Sequence, residues 1–265
     1  MSRRKLISMI DASTKGLPAN KKFLADVQSA VVRVRQKNSW KPSKWYKPSS
    51  LACLRNMYFT RMGAEQDIAG EEYTSIGMAD TGTRRHEAIQ EVLESMKELG
   101  YDWEYYPVDK YVKQKQSEGK CLSLQIKGQV GAETHLFDTT LLTSFRCDGI
   151  IRRISTDEYY LLEFKNQVSF KFRDKKDVDE AHHNQVICYC TSLDLDKAFV
   201  LYENRDTCEL ECPVVFEVTE EMKQGLVSRI MECEGYVERM IAPPKPEDTS
   251  VCKWCKYKGI CRKCS

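Results

Sequence analysis

Apolar residues recur every three or four positions in five stretches of the chain, and between them they alternate or run together in short blocks. Spacing of the first kind marks helices with one buried face. It predicts helices over KKFLADVQSAVVRVR (21–35), SSLACLRNMYFTRMG (49–63) and GTRRHEAIQEVLESMKELG (82–100), then over 177–193 and 219–240. Ser49 and Ser50 open the second, and Gly63 and Gly100 close the second and third. Blocks of the second kind, WEYYPV, CLSLQI, LFDTTLLTSF, FRCDGIIRRI and EYYLLEF, lie between 103 and 164 and read as strands separated by turn residues. KAFVLYEN and CPVVFEV supply two more. Helices, a β-meander, a helix, strands and a helix predict an α/β fold around a central mixed sheet.

The 265-residue length suits one domain with an appendage. With 42% apolar and 30% charged residues, the composition is that of a soluble globular protein. No run approaches the roughly 18 apolar residues of a membrane span, and the start of the chain lacks a secretory apolar segment, so no membrane partner and a cytoplasmic, reducing setting are expected. In that setting 12 cysteines point to metal ligation rather than to disulfides.

The net charge of +2 conceals a division. Residues 1–48 hold 12 basic and 2 acidic side chains, leaving 29 and 37 for the remainder. A basic arm with aromatic residues among its lysines (SWKPSKWYKP) suits phosphate contact and base stacking. A solvated tail is an equal reading for residues 1–20. The sequence divides accordingly into an arm (1–48), a core (49–245) and a cysteine-rich end (246–265).

The candidate chemistry lies in CDGI and EFK. Asp148 and Glu163 stand on runs joined by the short turn RRISTDE, so neighbouring strands would bring the two carboxylates together. They repel unless a cation lies between them, and hard oxygen ligands select Mg2+ or Mn2+. Lys165 leaves the same strand face as Glu163 and could orient water or offset phosphate charge. A plain Glu163–Lys165 ion bridge is the competing reading. His86, near the apolar side of its helix, reads as structural more readily than as a ligand, and Gln185 and Tyr189, at i and i+4, as packing. His182 and His183 read as exposed helix-cap residues, and KFRDKK (171–176) as either a DNA path or a solvated turn.

In order along the chain, G-T-x-x-H (82–86), C-D-G-I (147–150), E-F-K (163–165) and Q-x-x-x-Y (185–189) resemble the RecB-like branch of the PD-(D/E)xK nuclease superfamily. SSLACLRNMYF (49–59) and CKWCKYKGIC (252–261) resemble the opening and closing signatures of its iron–sulfur members, the CRISPR-associated RecB-like exonucleases foremost. The resemblance spans 49–261. It implies a restriction-endonuclease-like core, with His86, Asp148, Glu163 and the Phe164 carbonyl as metal ligands and Lys165 as the catalytic lysine. Gln185 and Tyr189 would position DNA or active-site groups. The 121–148 segment is longer than a minimal member needs.

Cys252, Cys255 and Cys261 supply three thiolates, and the resemblance implies Cys53 as the fourth ligand of a 4Fe–4S cluster stapling the amino-terminal helix to the tail. A zinc site completed by Cys264 is the alternative. The remaining cysteines read as packing residues. Together these features predict a metal-dependent DNA exonuclease acting on single-stranded or end-containing DNA. Recombination, helicase or CRISPR-adaptation proteins are its expected partners, and the family leaves room for a ring-forming homo-oligomer. A non-catalytic DNA-binding adaptor on the same scaffold is the rival reading.

Overall fold

The computed structural model describes residues 18–35, 43–67, 73–130, 133–252 and 255–264. Half of the basic arm, residues 1–17 and 36–42, lies outside the described residues. The chain divides into two compact units, one of residues 1–41 with 68–83 and one of 42–67 with 84–265. The described part of the first is helix α1 (Ala19–Arg35) and the opening of helix α3 (Tyr73–Ser95). Helix α3 starts well before Gly82, the expected start. Glycine there did not act as a stop, and Thr81 and Thr83 return their hydroxyls to the carbonyls of Gly77 and Ala79 within the helix.

The second unit is an α/β fold with a mixed six-stranded sheet flanked by helices. Strands β1 (Trp103–Tyr106), β5 (Gly149–Arg153), β6 (Glu158–Gln167), β7 (Lys197–Asn204) and β8 (Leu210–Glu211) lie side by side in that order, and β9 (Val215–Glu217) also pairs with β7. Only β6 and β7 run parallel. Helix α6 (Glu180–Leu193) makes their crossover, as a parallel pair requires. It ends where Asp194 turns left-handed at φ 55°. Helix α7 (Glu220–Arg239) begins at a Thr219 cap that accepts the Met222 N–H.

The main core lies between sheet and helices. Ile150, Leu161 and Val200 from the strands meet Val186, Tyr189 and Leu193 from α6, with Met57 of helix α2 (Leu54–Arg61) and Ile230 of α7 in the same buried cluster. Leu93 and Met96, at the end of α3 and just beyond it, line an apolar hollow with Trp103, Ile151, Leu162 and Phe199.

The long 121–148 segment builds a second sheet, β2 (Leu124–Val130), β3 (Glu133–Asp138) and β4 (Thr143–Phe145), all antiparallel. The expected single strand LFDTTLLTSF is thus two, because Asp138 Oδ1 accepts the N–H groups of Thr140 and Leu141 and turns the chain. Helix α4 (Val108–Ser117) interrupts a region expected to be all strand. Residues 146–148 of FRCDGIIRRI lie outside the ladder, so Asp148 precedes β5 rather than ending a strand at Gly149. Helix α5 (Ser169–Phe172) follows β6, and helix α8 (Lys258–Lys263) lies in the tail. No helix among the described residues is long and apolar enough to cross a membrane.

Candidate metal centre

Strand β6 runs five residues, 163–167, past the end of β5. The last β5–β6 pair is Gly149 with Leu162, so Asp148 sits opposite Glu163 at the point where the ladder opens. There the Asp148 side chain replaces a neighbouring strand, and its Oδ2 accepts the Phe164 N–H at 2.6 Å. The Phe164 carbonyl leaves β6 by the same edge, because one residue's N–H and C=O point the same way from a strand. Gly149 is required here, since a Cβ would collide with the Tyr105 ring, whose hydroxyl donates to the Asp148 carbonyl at 3.0 Å.

His86 comes from α3, with Nδ1 3.2 Å from Asp148 Oδ1 and its ring edge-on to Phe164. One residue earlier, Arg85 pairs through both Nε and a terminal nitrogen with Glu203 of β7, which also accepts from Asn166 Nδ2 at 2.7 Å. That buried carboxylate ties α3 to the sheet next to His86. Nothing in the spacing of the sequence marked it.

Glu163 is only 3% exposed. Its Oε1 accepts from Lys165 Nζ at 2.6 Å and Gln185 Nε2 at 2.8 Å, while Oε2 is buried without a hydrogen-bond partner. The Glu163–Lys165 ion bridge, the competing reading, therefore forms, yet it satisfies only one oxygen. Burial, followed by the charge of Asp148, pushes the Glu163 pKa up to about 8 against the pull of Lys165 and His86. Burial opposes the charged form of His86, but the hydrogen bond and charge of Asp148, then Glu163 and Glu133, raise its pKa overall.

Lys165 Nζ also donates to Gln185 Oε1 at 3.0 Å, and Gln185 Nε2 donates to the Tyr189 hydroxyl at 2.8 Å. The Tyr189 hydroxyl in turn donates to the Arg146 carbonyl at 3.1 Å. Gln185 and Tyr189 thus stand in one chain with Lys165, rather than only in packing.

Glu133 was not singled out in the sequence. It stands at the start of β3, and one ligand atom each from His86, Glu133 and Asp148 lie within 4.8 Å of one another, close enough to share one cation. Arg146 pairs with its Oε2 at 2.9 Å. Burial raises the Glu133 pKa, against Arg146 and together with Asp148. The available signal was the alternation of E-T-H-L-F-D, which puts Glu133 on one strand face with His135.

The histidines before Gln185 are not exposed. His182 Nδ1 lies 3.0 Å from the Tyr202 hydroxyl, and burial, then the nearby Lys165, lowers its pKa to about 4. His183 packs against Phe216, with Nε2 3.0 Å from the Val178 carbonyl. Both fall in the first turn of α6, which starts at Glu180, and pack toward the sheet at Tyr202 and Phe216. In the KFRDKK run, Lys175 pairs with Asp179 at 2.5 Å and lies over the Tyr202 ring, which makes that lysine a packing element.

The segment bearing Cys53 and the tail bearing Cys255 and Cys261 are clasped together. Buried Arg55 donates to the carbonyls of Pro243 at 2.8 Å and Cys264 at 3.0 Å, and Asn56 Nδ2 lies 3.7 Å from Cys255 Sγ. Tyr257 is buried against Phe59, and the Lys256 carbonyl accepts the Asp67 N–H at 2.7 Å. Burial raises the Cys255 pKa, and Cys53, Cys261 and Cys252 add to it by their charge. Among the described residues no three cysteine sulfurs lie within 4.8 Å of one another.

No family model matches the chain, and no curated protein matches it. A solved structure, the crystal structure of SSO0001, is similar with a TM-score of 0.48 and 15% identity, covering 91% of this chain and 96% of that one. A likeness at that level carries no argument about activity.

Proposed function

We propose that the protein is a metal-dependent nuclease of the PD-(D/E)xK type, hydrolysing phosphodiester bonds in DNA that is single-stranded or has free ends. The observation that carries this reading is Glu163 Oε2, a buried carboxylate oxygen without a hydrogen-bond partner on the residue facing Asp148. A carboxyl so placed is costly to ionise unless a cation completes its surroundings. The carboxylates and the strand-edge carbonyl are hard donors that fit Mg2+ or Mn2+, and the borderline imidazole favours Mn2+ of the two.

His86, Asp148, Glu163 and the Phe164 carbonyl would hold that ion, with Glu133 as a further donor from the second sheet. When bound, a divalent cation polarises a phosphate oxygen and makes water more acidic. The rest of the chemistry falls to the chain's own groups. Lys165, held by Glu163 and Gln185, offers its remaining N–H to an attacking water or to charge growing on the phosphate. Tyr189 fixes Gln185, and Gln185 keeps the amine of Lys165 from swinging away. Phe164 packs behind His86 and limits the ring's rotation.

In this reading Cys53, Cys252, Cys255 and Cys261 hold a 4Fe–4S cluster with a structural role, supported by the clasp that Arg55 and Tyr257 already make. Zinc is the alternative occupant. Iron and sulfide analysis with the visible spectrum of anaerobically prepared protein separates the two. DNA bound along the basic arm, and the recombination or CRISPR-adaptation setting, belong to the same proposal.

The test is incubation of end-labelled single-stranded DNA with Mg2+ or Mn2+ and the wild-type protein, Glu163→Ala or Lys165→Ala. Digestion by the wild type and losses of at least about 100-fold in both variants are expected, the scale of an electrostatic or acid–base group. Equal digestion by all three would remove the assignment.

A further inference from the structure

The second sheet presents a half-exposed face that begins at the metal centre. Along β3, Glu133, His135 and Phe137 share one side, while Thr134, Leu136 and Asp138 are buried on the other. Chain segment 44–47 runs beside β4, with the Tyr46 N–H bonded to the Leu142 carbonyl and the Ser144 N–H to the Tyr46 carbonyl. Tyr46 is fully buried, so its neighbours Trp45 and Lys47 fall on the open side. Trp45 meets Phe137 edge-on at 4.8 Å. Lys47 Nζ and His135 Nε2 both reach Ser144 Oγ, at 3.2 Å and 3.0 Å.

The strand β2 is bulged on this same face. The register slips between Ile126 and Gly128, and the extra residue is Lys127. Gly128 permits the slip at φ +134°. Lys127 Nζ then lies 5.6 Å from the centre of the Phe137 ring. Neither Lys47 nor Lys127 has a carboxylate partner among the described residues. Lys47 and Lys127 thus set cationic amines among the aromatic rings of this face. From Glu133 to Phe137 it is roughly 14 Å long at about 3.4 Å per residue.

We propose that this face is the track along which a single strand of DNA reaches the metal centre, with bases stacked at Trp45 and Phe137 and phosphates held by Lys47, Lys127 and Arg146. This rests on the nuclease reading for its destination but not for its binding. Cationic side chains alternating with aromatic rings are what sequence-independent single-strand recognition requires, because every base has a stacking face and every nucleotide a phosphate. The strand's inner end is Glu133, whose partner Arg146 faces the same approach. An insert that would otherwise be surplus to the central fold thus acquires a job.

The experiment is fluorescence anisotropy with a labelled oligo-dT 20-mer and the full chain, in EDTA so that cleavage is absent, at several salt concentrations. The variants are Phe137→Ala, Lys127→Gln and, as a control outside the face, Lys197→Gln in the pair with Glu158, with circular dichroism to confirm folding. Phe137→Ala should bind roughly 5- to 100-fold more weakly, as loss of a stacking contact implies. Lys127→Gln should lower the steepness of log K against log salt by about 0.7, the value for one phosphate contact on a single strand. Lys197→Gln should bind as wild type does. Wild-type binding with both face variants unchanged would overturn the track while leaving the nuclease reading intact. Binding that depends on the face in a protein that digests nothing would do the reverse. Equal competition by poly-glutamate, or a lysine effect without an aromatic one, would reduce the face to a generic polyanion surface and also overturn the proposal.

Discussion

Replacing Glu163 by glutamine should make the metal-free protein more stable, and increasingly so as pH rises. Glu163 is 97% removed from solvent, and its carboxyl titrates at about 8 in the folded protein against an ordinary value of 4.5. A carboxyl with a raised folded pKa favours folding least at high pH. Its burden is absent below 4.5, grows as pH rises, and is complete above 8. At 1.36 kcal/mol for each pH unit between the two values, the penalty is about 1 kcal/mol at pH 5 and about 5 kcal/mol at pH 9. Glutamine keeps the shape and an oxygen for Lys165 but cannot ionise. Urea unfolding in EDTA, run on both proteins at pH 5, 7 and 9, should therefore show the variant's advantage growing by about 4 kcal/mol across the range. The charge of Glu163 also raises the His86 pKa, so glutamine lowers that pKa and part of the pH dependence passes through His86. Mn2+ at a hundredfold excess over Kd should stabilise the wild type by about 2.7 kcal/mol, enough to reverse the order at pH 5 and to narrow the variant's advantage at pH 7 and 9. A difference between the proteins that does not change with pH would refute the argument from burial.

Glu133→Gln should weaken Mn2+ binding by about tenfold in a calorimetric titration, since it removes one charged donor from a shared site; unchanged affinity would strike Glu133 from the ligand set. Gly149→Ala should cost about 1–3 kcal/mol in urea unfolding, because the new Cβ meets the Tyr105 ring. An unaltered midpoint would contradict that close approach. Arg55→Leu should strand the carbonyls of Pro243 and Cys264 at about 1–3 kcal/mol each. Its expected signature is faster proteolysis of the 246–264 tail and loss of bound iron, and a tail as resistant as wild type would show that Arg55 does not hold it.

The central pattern of the chain was legible where one residue type decided the outcome. The β5–β6 hairpin and the helix carrying Gln185 and Tyr189 follow from apolar runs bounded by turns, and the juxtaposition of Asp148 with Glu163 follows from the hairpin. The limits of α3 were not legible, because Gly82 is tolerated inside a helix whose threonines bond back along it. Helix α4 was missed although Val108, Tyr111 and Val112 stand at the helical spacing i, i+3 and i+4, because Val108 was read as the end of the strand WEYYPV. Glu133 escaped for a different reason. Its partners, His86 and Asp148, come from another helix and another sheet, so only tertiary packing assembles them. The same holds for Glu203 with Arg85, and for His182, whose place beside Tyr202 depends on where the helix begins.

The most direct measurement is an anomalous difference map at the manganese edge from crystals soaked in Mn2+. The account predicts a peak bounded by His86, Asp148, Glu163 and the Phe164 carbonyl, within reach of Glu133. A peak elsewhere, or none at concentrations that support DNA digestion, would contradict it.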